Sequence, residues 1–175
     1  VLENFTSKVG QNIEILDLEQ FGKSLFIDGE LQVAENDEHL YSSTFVNSGL
    51  KLNPLNDKTA IIGGGDGGVA RECISKGFKL IDWYELDPEV VTMCEKYLSK
   101  VGKKATTKNH VQCVWGDAFE SIKSVKDDTY DQIFVDLNDD QFCIDLAAKN
   151  MDSLVRILKP KGVITAQVGS QDKKP

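Results

Sequence analysis

The sequence is poor in the residues that build metal centres. Its 175 residues include four cysteines and two histidines, and none of the cysteines lies close to another in the chain. His39 and His110 are also far apart, so the sequence contains no CxxC pair and no zinc-like cluster. We therefore expect no metal ion, and scattered thiols are typical of a reducing compartment.

Long apolar segments and positive charge are lacking as well. No apolar run approaches the roughly 20 residues that span a bilayer, and no charged start followed by an apolar stretch indicates a signal peptide. The net charge of −8 disfavours nucleic acid, because proteins that bind it usually present a basic face. We therefore expect a cytoplasmic protein without membrane or nucleic-acid partners, whose charge suits a cationic small ligand.

Two regions of the chain differ in pattern. Residues 11–34 alternate apolar and polar side chains around the hairpin signal Asp28-Gly29, which predicts a small antiparallel sheet. Residues 37–50 then predict a helix. From residue 58 strands alternate with helices, which favours an α/β fold with a parallel sheet covered by helices on both faces. The predicted strands lie near 58–62, 79–85, 110–115, 130–136 and 162–168, and the predicted helices near 67–77, 88–100, 117–124 and 143–158.

Acidic residues follow each of the first four strands predicted for this parallel sheet. An isolated loop aspartate is usually a helix cap or a turn former, but four acids in matching positions favour a ligand site. Such sheets bind ligands at the carboxyl ends of their strands. The residues at those ends are Asp66 in a glycine run, Glu85 and Asp87, Asp117, Asp136 to Asp139, and finally Gln167.

The segment AIIGGGDGGVARE, residues 60–72, places a glycine run between a predicted strand and a predicted helix. It satisfies the G-x-G-x-x-G pattern of dinucleotide-binding proteins, and Gly63, Gly64 and Gly65 would let a ligand approach bare backbone. Asp66 counts against a dinucleotide, because a carboxylate would repel the pyrophosphate that binds there. S-adenosylmethionine and its decarboxylated form carry a sulfonium and an amine but no phosphate, so Asp66 favours them.

The remaining acids fit the same kind of ligand. Glu85, about twenty residues after the glycine run, can accept hydrogen bonds from both ribose hydroxyls, and Asp117 can accept one from the adenine amino group. Asp136 and Asp139 would face the cationic centre. One of them could deprotonate an amine nucleophile, whose pKa is about 10, while the other holds a distal ammonium group.

Together these segments resemble the spermidine/spermine synthase (aminopropyltransferase) family. The resemblance covers nearly all of the chain and rests on FGKSLFIDGELQVAENDEHLY, IIGGGDGGVARE, YELDPEVV, GDAFE and YDQIFVDLNDD. It implies a small N-terminal antiparallel sheet with the first helix, residues 1–50. A Rossmann-like S-adenosylmethionine-dependent transferase domain, residues 51–175, would follow and end after its fifth strand.

The resemblance also implies an activity and a set of roles. The family transfers an aminopropyl group from decarboxylated S-adenosylmethionine to a diamine such as putrescine, gives spermidine and methylthioadenosine, needs no metal and often self-associates. The implied cofactor-binding residues are Gln11, Gly63, Gly64, Gly65, Asp66, Glu85, Asp117 and Ala118. Asp136 would be the catalytic base, and Tyr41, Asp139 and Gln167 would bind the amine acceptor.

Three departures from the family pattern leave alternatives open. Ser42 and Ser43 follow Tyr41 where the family usually has Gln or His and then Glu, so we expect an acceptor contact to be lost. Asp140 replaces the proline of Asp-x-x-Asp-Pro, which we expect to loosen that loop. The chain stops soon after the fifth strand, so either it is a fragment or the site is open. An S-adenosylmethionine-dependent methyltransferase and a non-catalytic relative remain the competing hypotheses.

Overall fold

A computed structural model of the chain describes residues 1–169. It contains a four-stranded and a five-stranded sheet. The strands are β1 Glu3–Thr6, β2 Asn12–Leu18, β3 Gly22–Ile27, β4 Glu30–Ala34, β5 Lys58–Gly63, β6 Leu80–Glu85, β7 Val111–Trp115, β8 Tyr130–Asp136 and β9 Leu158–Ala166. The helices are α1 Glu38–Leu52, α2 Gly68–Ser75, α3 Pro88–Tyr97, α4 Ser99–Gly102, α5 Ala118–Ser121, α6 Gln141–Lys149 and α7 Met151–Ile157.

The N-terminal sheet is the antiparallel meander that the alternating pattern predicts, in the order β1-β2-β3-β4. Asp28 and Gly29 both have positive φ, 51° and 81°, as a tight hairpin turn between twisted strands requires. Alternate side chains such as Ile13 and Ile15 are fully buried and pack with Val90 of α3. The first strand, β1, was not predicted, because it has only four residues and half of them are exposed.

The second sheet is parallel and has the order β7-β6-β5-β8-β9. The chain therefore moves outward from β5 in one direction and then returns to add β8 and β9 on the other side. The middle strands are almost wholly buried, as expected when helices cover both faces. This architecture confirms the predicted fold class. It also creates a crevice at the carboxyl ends of β5 and β8, where the strand order reverses.

Helix α1 connects the two sheets. Its buried side chains Phe45 and Val46 belong to the apolar cluster that contains Ile61 of β5 and Phe134 of β8. The packing fixes the start of α1 beside the carboxyl ends of the parallel strands. The division of the chain into residues 1–50 and 51–175 stays a prediction, and its last six residues lie outside the described part.

Two predicted boundaries near the end of the chain were wrong. The helix predicted over 143–158 is two helices, α6 and α7, which meet at Asn150. The last strand begins at Leu158 rather than near residue 162, and its pairing with β8 shifts register after Tyr130. A left-handed residue, Lys161, accompanies this irregularity. Among residues 1–169, no helix combines the length and the apolarity needed to cross a membrane.

The glycines at the two ends of α2 provide a test of this backbone. Gly67 and Gly77 have φ values of 85° and 77°, so alanine at either position should cost about 1–2 kcal/mol of stability. A Cβ at Gly67 would also lie 2.9 Å from the Cα of Gly102, whereas the nearest atom at Gly77 is 3.6 Å away. We therefore expect Gly67→Ala to lose about 1–3 kcal/mol more than Gly77→Ala in chemical denaturation. Equal losses would contradict the close packing at Gly67.

Candidate functional site

A cavity of about 1080 Å³ lies at the carboxyl ends of the parallel strands and extends beneath the N-terminal sheet. All the residues to which the resemblance assigns a role line it, whereas Asp87 caps α3 instead. They are Gln11, Tyr41, Gly63, Gly64, Gly65, Asp66, Glu85, Asp117, Ala118, Asp136, Asp139 and Gln167. The structure thus brings together residues from both sheets and from α1, while their individual roles stay predictions.

The glycine loop after β5 brings two carboxylates against bare backbone. Gly63 pairs with Asp136 across the parallel strands, and the Gly64 amide donates to the Asp136 carbonyl at 2.9 Å. A Cβ at Gly64 would lie 3.2 Å from Asp136 Oδ2, and one at Gly65 would lie 3.0 Å from Glu85 Oε2. Because Gly64 and Gly65 have no side chains, both carboxylates can face the floor of the cavity.

Asp136 belongs to a chain of polar contacts that spans three elements. The Tyr41 hydroxyl, on α1, donates to Asp136 Oδ1 at 2.6 Å and also lies within bonding distance of Gln167 Oε1. Gln167 in turn donates from Nε2 to Asp139 Oδ1. Burial, followed by the charge of Asp136, raises the pKa of Tyr41 well above its ordinary value. Tyr41 therefore stays protonated and remains a hydrogen-bond donor to the carboxylate.

Three carboxyl groups in the cavity bind protons unusually tightly. Burial, followed by the charge of Asp66, raises the pKa of Asp136 to about 7. Burial also raises the pKa of Glu85 to about 7, although the backbone amide of Asp87 bonds its carboxylate at 2.9 Å. The pKa of Asp66 rises to about 6, again mainly through burial and despite the hydrogen bond from the Gly68 amide. A bound cation would relieve this crowding of negative charge.

The charged residues described in the lining of the cavity all carry negative charge. Eight of its residues are acidic, and none of the described lining residues is Lys, Arg or His. The acids are Glu30, Asp37, Glu38, Asp66, Glu85, Asp117, Asp136 and Asp139. A cleft of this kind attracts cations and repels phosphates and carboxylates. Within residues 1–169 no group of three or more His, Cys, Asp or Glu side chains is arranged to hold a metal ion.

Asp117 has a structural contact in addition to its place in the cavity. Its Oδ1 accepts hydrogen bonds from the amides of Phe119 and Glu120, at 2.8 and 3.3 Å, and caps the short helix α5. This is the usual task of an aspartate before a helix. The capping contacts fix the side chain at the cavity edge beside Ala118 and leave Oδ2 for another partner.

Comparison with known proteins decides the family. The family model described as a spermine/spermidine synthase domain matches residues 38–174. The chain belongs to this family. A polyamine aminopropyltransferase of Prochlorococcus marinus (strain MIT 9301) is 31% identical over 93% of this chain and 58% of its own length. Polyamine aminopropyltransferase 2 of Caldanaerobacter subterraneus subsp. tengcongensis is 36% identical over 74% of this chain and 43% of its own.

Solved structures of spermidine synthases have the same fold. The spermidine synthase of Thermotoga maritima superposes with a TM-score of 0.86 and 25% identity, covering 95% of this chain and 56% of that one. A spermidine synthase in complex with the transition-state analogue AdoDATO gives a TM-score of 0.83, also at 25% identity, and 55% of its chain is covered. These likenesses confirm the Rossmann-like arrangement. The chain spans about two fifths to three fifths of the length of the relatives that it matches.

The structure gives new explanations for two of the departures from the family pattern. Ser42 is buried, and its hydroxyl donates a hydrogen bond to Glu38 Oε1. It therefore faces the wall of the cavity and not the predicted amine acceptor. Asp140 accepts a hydrogen bond from the Cys143 amide at 2.7 Å and caps α6. Its carboxylate thus fixes the start of the helix that follows, while the loosening of the preceding loop stays a prediction.

Several lining residues were missed by the sequence analysis. Glu38 lines the cavity although it is almost buried, and an acid in the first turn of a predicted helix looks like an ordinary cap. Leu31, Leu40 and Phe142 form apolar parts of the wall and are exposed to the cavity or its rim. The sequence does not single them out, because isolated exposed apolar residues are common on protein surfaces.

The crowded carboxyl groups predict how stability depends on pH. Asp136 has an ordinary pKa near 4 when unfolded and about 7 when folded, so the folded chain retains a proton that the unfolded chain releases. The free energy of unfolding should fall as pH rises from about 4 to about 7. Asp136→Asn should flatten this slope by up to about 1.4 kcal/mol per pH unit in denaturation at several pH values.

Asp152→Asn serves as the control, because it removes the same charge from an exposed position on α7. It should leave the slope unchanged. A slope in Asp136→Asn that equals that of the unmodified protein would contradict the raised pKa of Asp136.

Proposed function

We propose that the protein is a polyamine aminopropyltransferase that moves the aminopropyl group of decarboxylated S-adenosylmethionine to a diamine such as putrescine. The observation that carries the proposal is the cavity around the bare glycine loop, where eight described lining residues are acidic and none is Lys, Arg or His. Both proposed substrates are cations without phosphate or carboxylate. The names of the relatives support the same reaction class.

The cofactor would bind along the ends of β5, β6 and β7. Asp66 would pair with its aminopropyl ammonium. Glu85 has one oxygen committed to the Asp87 amide, and Oε2 beside Gly65 would accept from the ribose hydroxyls. Asp117 and Ala118 would meet the adenine, and Gln11 would close the cofactor from the side of the N-terminal sheet. No metal takes part in this scheme.

The reaction needs an unprotonated amine in line with the carbon–sulfur bond. Asp136 would accept a proton from the acceptor ammonium, and the freed nitrogen lone pair would attack the methylene carbon attached to sulfur. A carbon–nitrogen bond forms while the carbon–sulfur bond breaks, and its electron pair neutralises the sulfonium to give methylthioadenosine. Asp139, held by Gln167, would bind the second ammonium of the diamine, and Tyr41 would orient Asp136 through its hydrogen bond.

A carboxyl group with a pKa of about 7 suits this proton transfer, because a base acts best when its pKa lies near the working pH. A methyltransferase must also hold the carboxylate of S-adenosylmethionine. The eight acids in the described lining would repel that carboxylate. Location in the cytoplasm and self-association stay predictions, as does the absence of a nucleic-acid partner.

The cofactor preference gives the first test. Decarboxylated S-adenosylmethionine should bind more tightly than S-adenosylmethionine, because the extra carboxylate would lie near Asp66. Like charges in a partly buried site cost on the order of 1–3 kcal/mol, or roughly 5- to 150-fold in affinity. Calorimetry with both cofactors measures this ratio. Asp66→Asn should reduce this ratio of affinities. Equal affinities of the unmodified protein for the two cofactors would argue for a methyltransferase.

Turnover gives the second test. In the full-length protein Asp136→Asn keeps the size of the side chain but removes the base, so kcat should fall about 10²- to 10⁴-fold with little change in cofactor affinity. Asp139→Asn should instead raise KM for the diamine, because it would hold only the distal ammonium. Product analysis with a panel of diamines checks both. Near-normal turnover in Asp136→Asn would refute Asp136 as the base, whereas absent turnover in the unmodified protein would favour a non-catalytic relative.

A further inference from the structure

A buried ion pair lies directly behind the glycine loop. Arg71, on α2, donates from Nη1 to Glu38 Oε2 at 2.6 Å and from Nη2 to Glu38 Oε1 at 3.1 Å. The side chains of Arg71 and Glu38 are only 12% and 5% exposed. Nη1 also donates to the Val101 carbonyl at 2.7 Å. One guanidinium thus ties the start of α1 and the end of α4 to the helix that follows the loop.

The same ion pair adjoins Asp66. The Gly68 amide donates to Asp66 Oδ1 at 2.6 Å, and a side chain at Gly68 would collide with Glu38, Ser42 and Asp66. Two carboxylates therefore converge on one glycine. The charge of Glu38 raises the pKa of Asp66, and the charge of Arg71 lowers it. The Asp136 and Glu85 carboxylates, across the same cavity, add further negative charge.

We infer that Arg71 is a positioning residue, which neutralises Glu38 and thereby keeps Asp66 ionised and aimed at the ammonium group of the cofactor. Arg71 does not line the cavity, so it acts through Asp66 rather than on the ligand. The identity of the ligand as decarboxylated S-adenosylmethionine rests on the proposed function, but the inference needs only a cationic ligand at Asp66.

The physical reason lies in the number of charges. Without Arg71, the Glu38 and Asp66 carboxylates would share a buried site with no cation, and such pairs retain a proton between them. A protonated Asp66 gives up its charge–charge attraction for an ammonium group. Removing Glu38 together with Arg71 takes away the carboxylate that converges with Asp66 on Gly68. The ionisation of Asp66 should then return, although Glu72 also loses its bond to Arg71 at 3.2 Å. A purely structural role for Arg71 predicts no such recovery.

Binding measurements on three proteins test the inference. They are the unmodified chain, Arg71→Met, and Arg71→Met combined with Glu38→Gln. The ligands are decarboxylated S-adenosylmethionine, which carries the ammonium, and methylthioadenosine, which has the same nucleoside without it. Arg71→Met should lower the affinity for the cationic ligand roughly ten- to a hundredfold. It should lower the affinity for methylthioadenosine by less than about threefold. In the double variant, the affinity for the cationic ligand should return to within a few-fold of that of the unmodified chain.

Equal losses for both ligands in Arg71→Met would overturn the inference and indicate a purely structural role, as would a double variant without recovery. If Arg71→Met does not fold, Arg71→Lys provides the comparison, because lysine keeps the positive charge but not the forked contact with Glu38. Arg71→Lys and the double variant should then both prefer the cationic ligand. Failure of the unmodified chain to prefer it would refute the proposed function instead.

Discussion

The fold places more negative charge in one cavity than its lining residues can neutralise. Strands β5 and β8 lie side by side, and their carboxyl ends bring the glycine loop and Asp136 into contact. Glu85 reaches the same loop from β6. Burial of these acids is costly because no described lining residue is a cation, and the raised pKa values of Asp136 and Glu85 express that cost. The cationic ligand of the proposed function would supply the missing charge.

The supporting structure limits this imbalance without removing it. Outside the cavity, Arg71 neutralises Glu38. Asp117 caps α5, which directs one of its carboxylate oxygens to a helix start, where acids are stabilised. Tyr41 donates a hydrogen bond to Asp136 but brings no charge. Apart from the Arg71–Glu38 ion pair, these contacts orient the acids without neutralising them, so the site keeps its strongly acidic character.

The parallel sheet and the list of strand-end acids could be predicted from the sequence, because apolar runs, glycine turns and strand ends all have local signals. The break between α6 and α7 at Asn150 could not, since the apolar pattern continues through it. The role of Ser42 was also hidden: its partner Glu38 is close in sequence, but only the packing of α1 on α2 shows which way it faces. The sequence does not single out Arg71, because its partners Glu38 and Val101 lie 33 and 30 positions away.

The chain of contacts from Tyr41 through Gln167 to Asp139 joins residues that are up to 126 positions apart. The part of the cavity proposed for the cofactor, by contrast, comes largely from consecutive segments between β5 and α5. Contacts of large sequence separation form late and slowly during folding. On the ribosome, β9 is made after the other strands of its sheet, so a nascent chain would complete the part of the cavity proposed for the nucleoside before the part proposed for the amine exists.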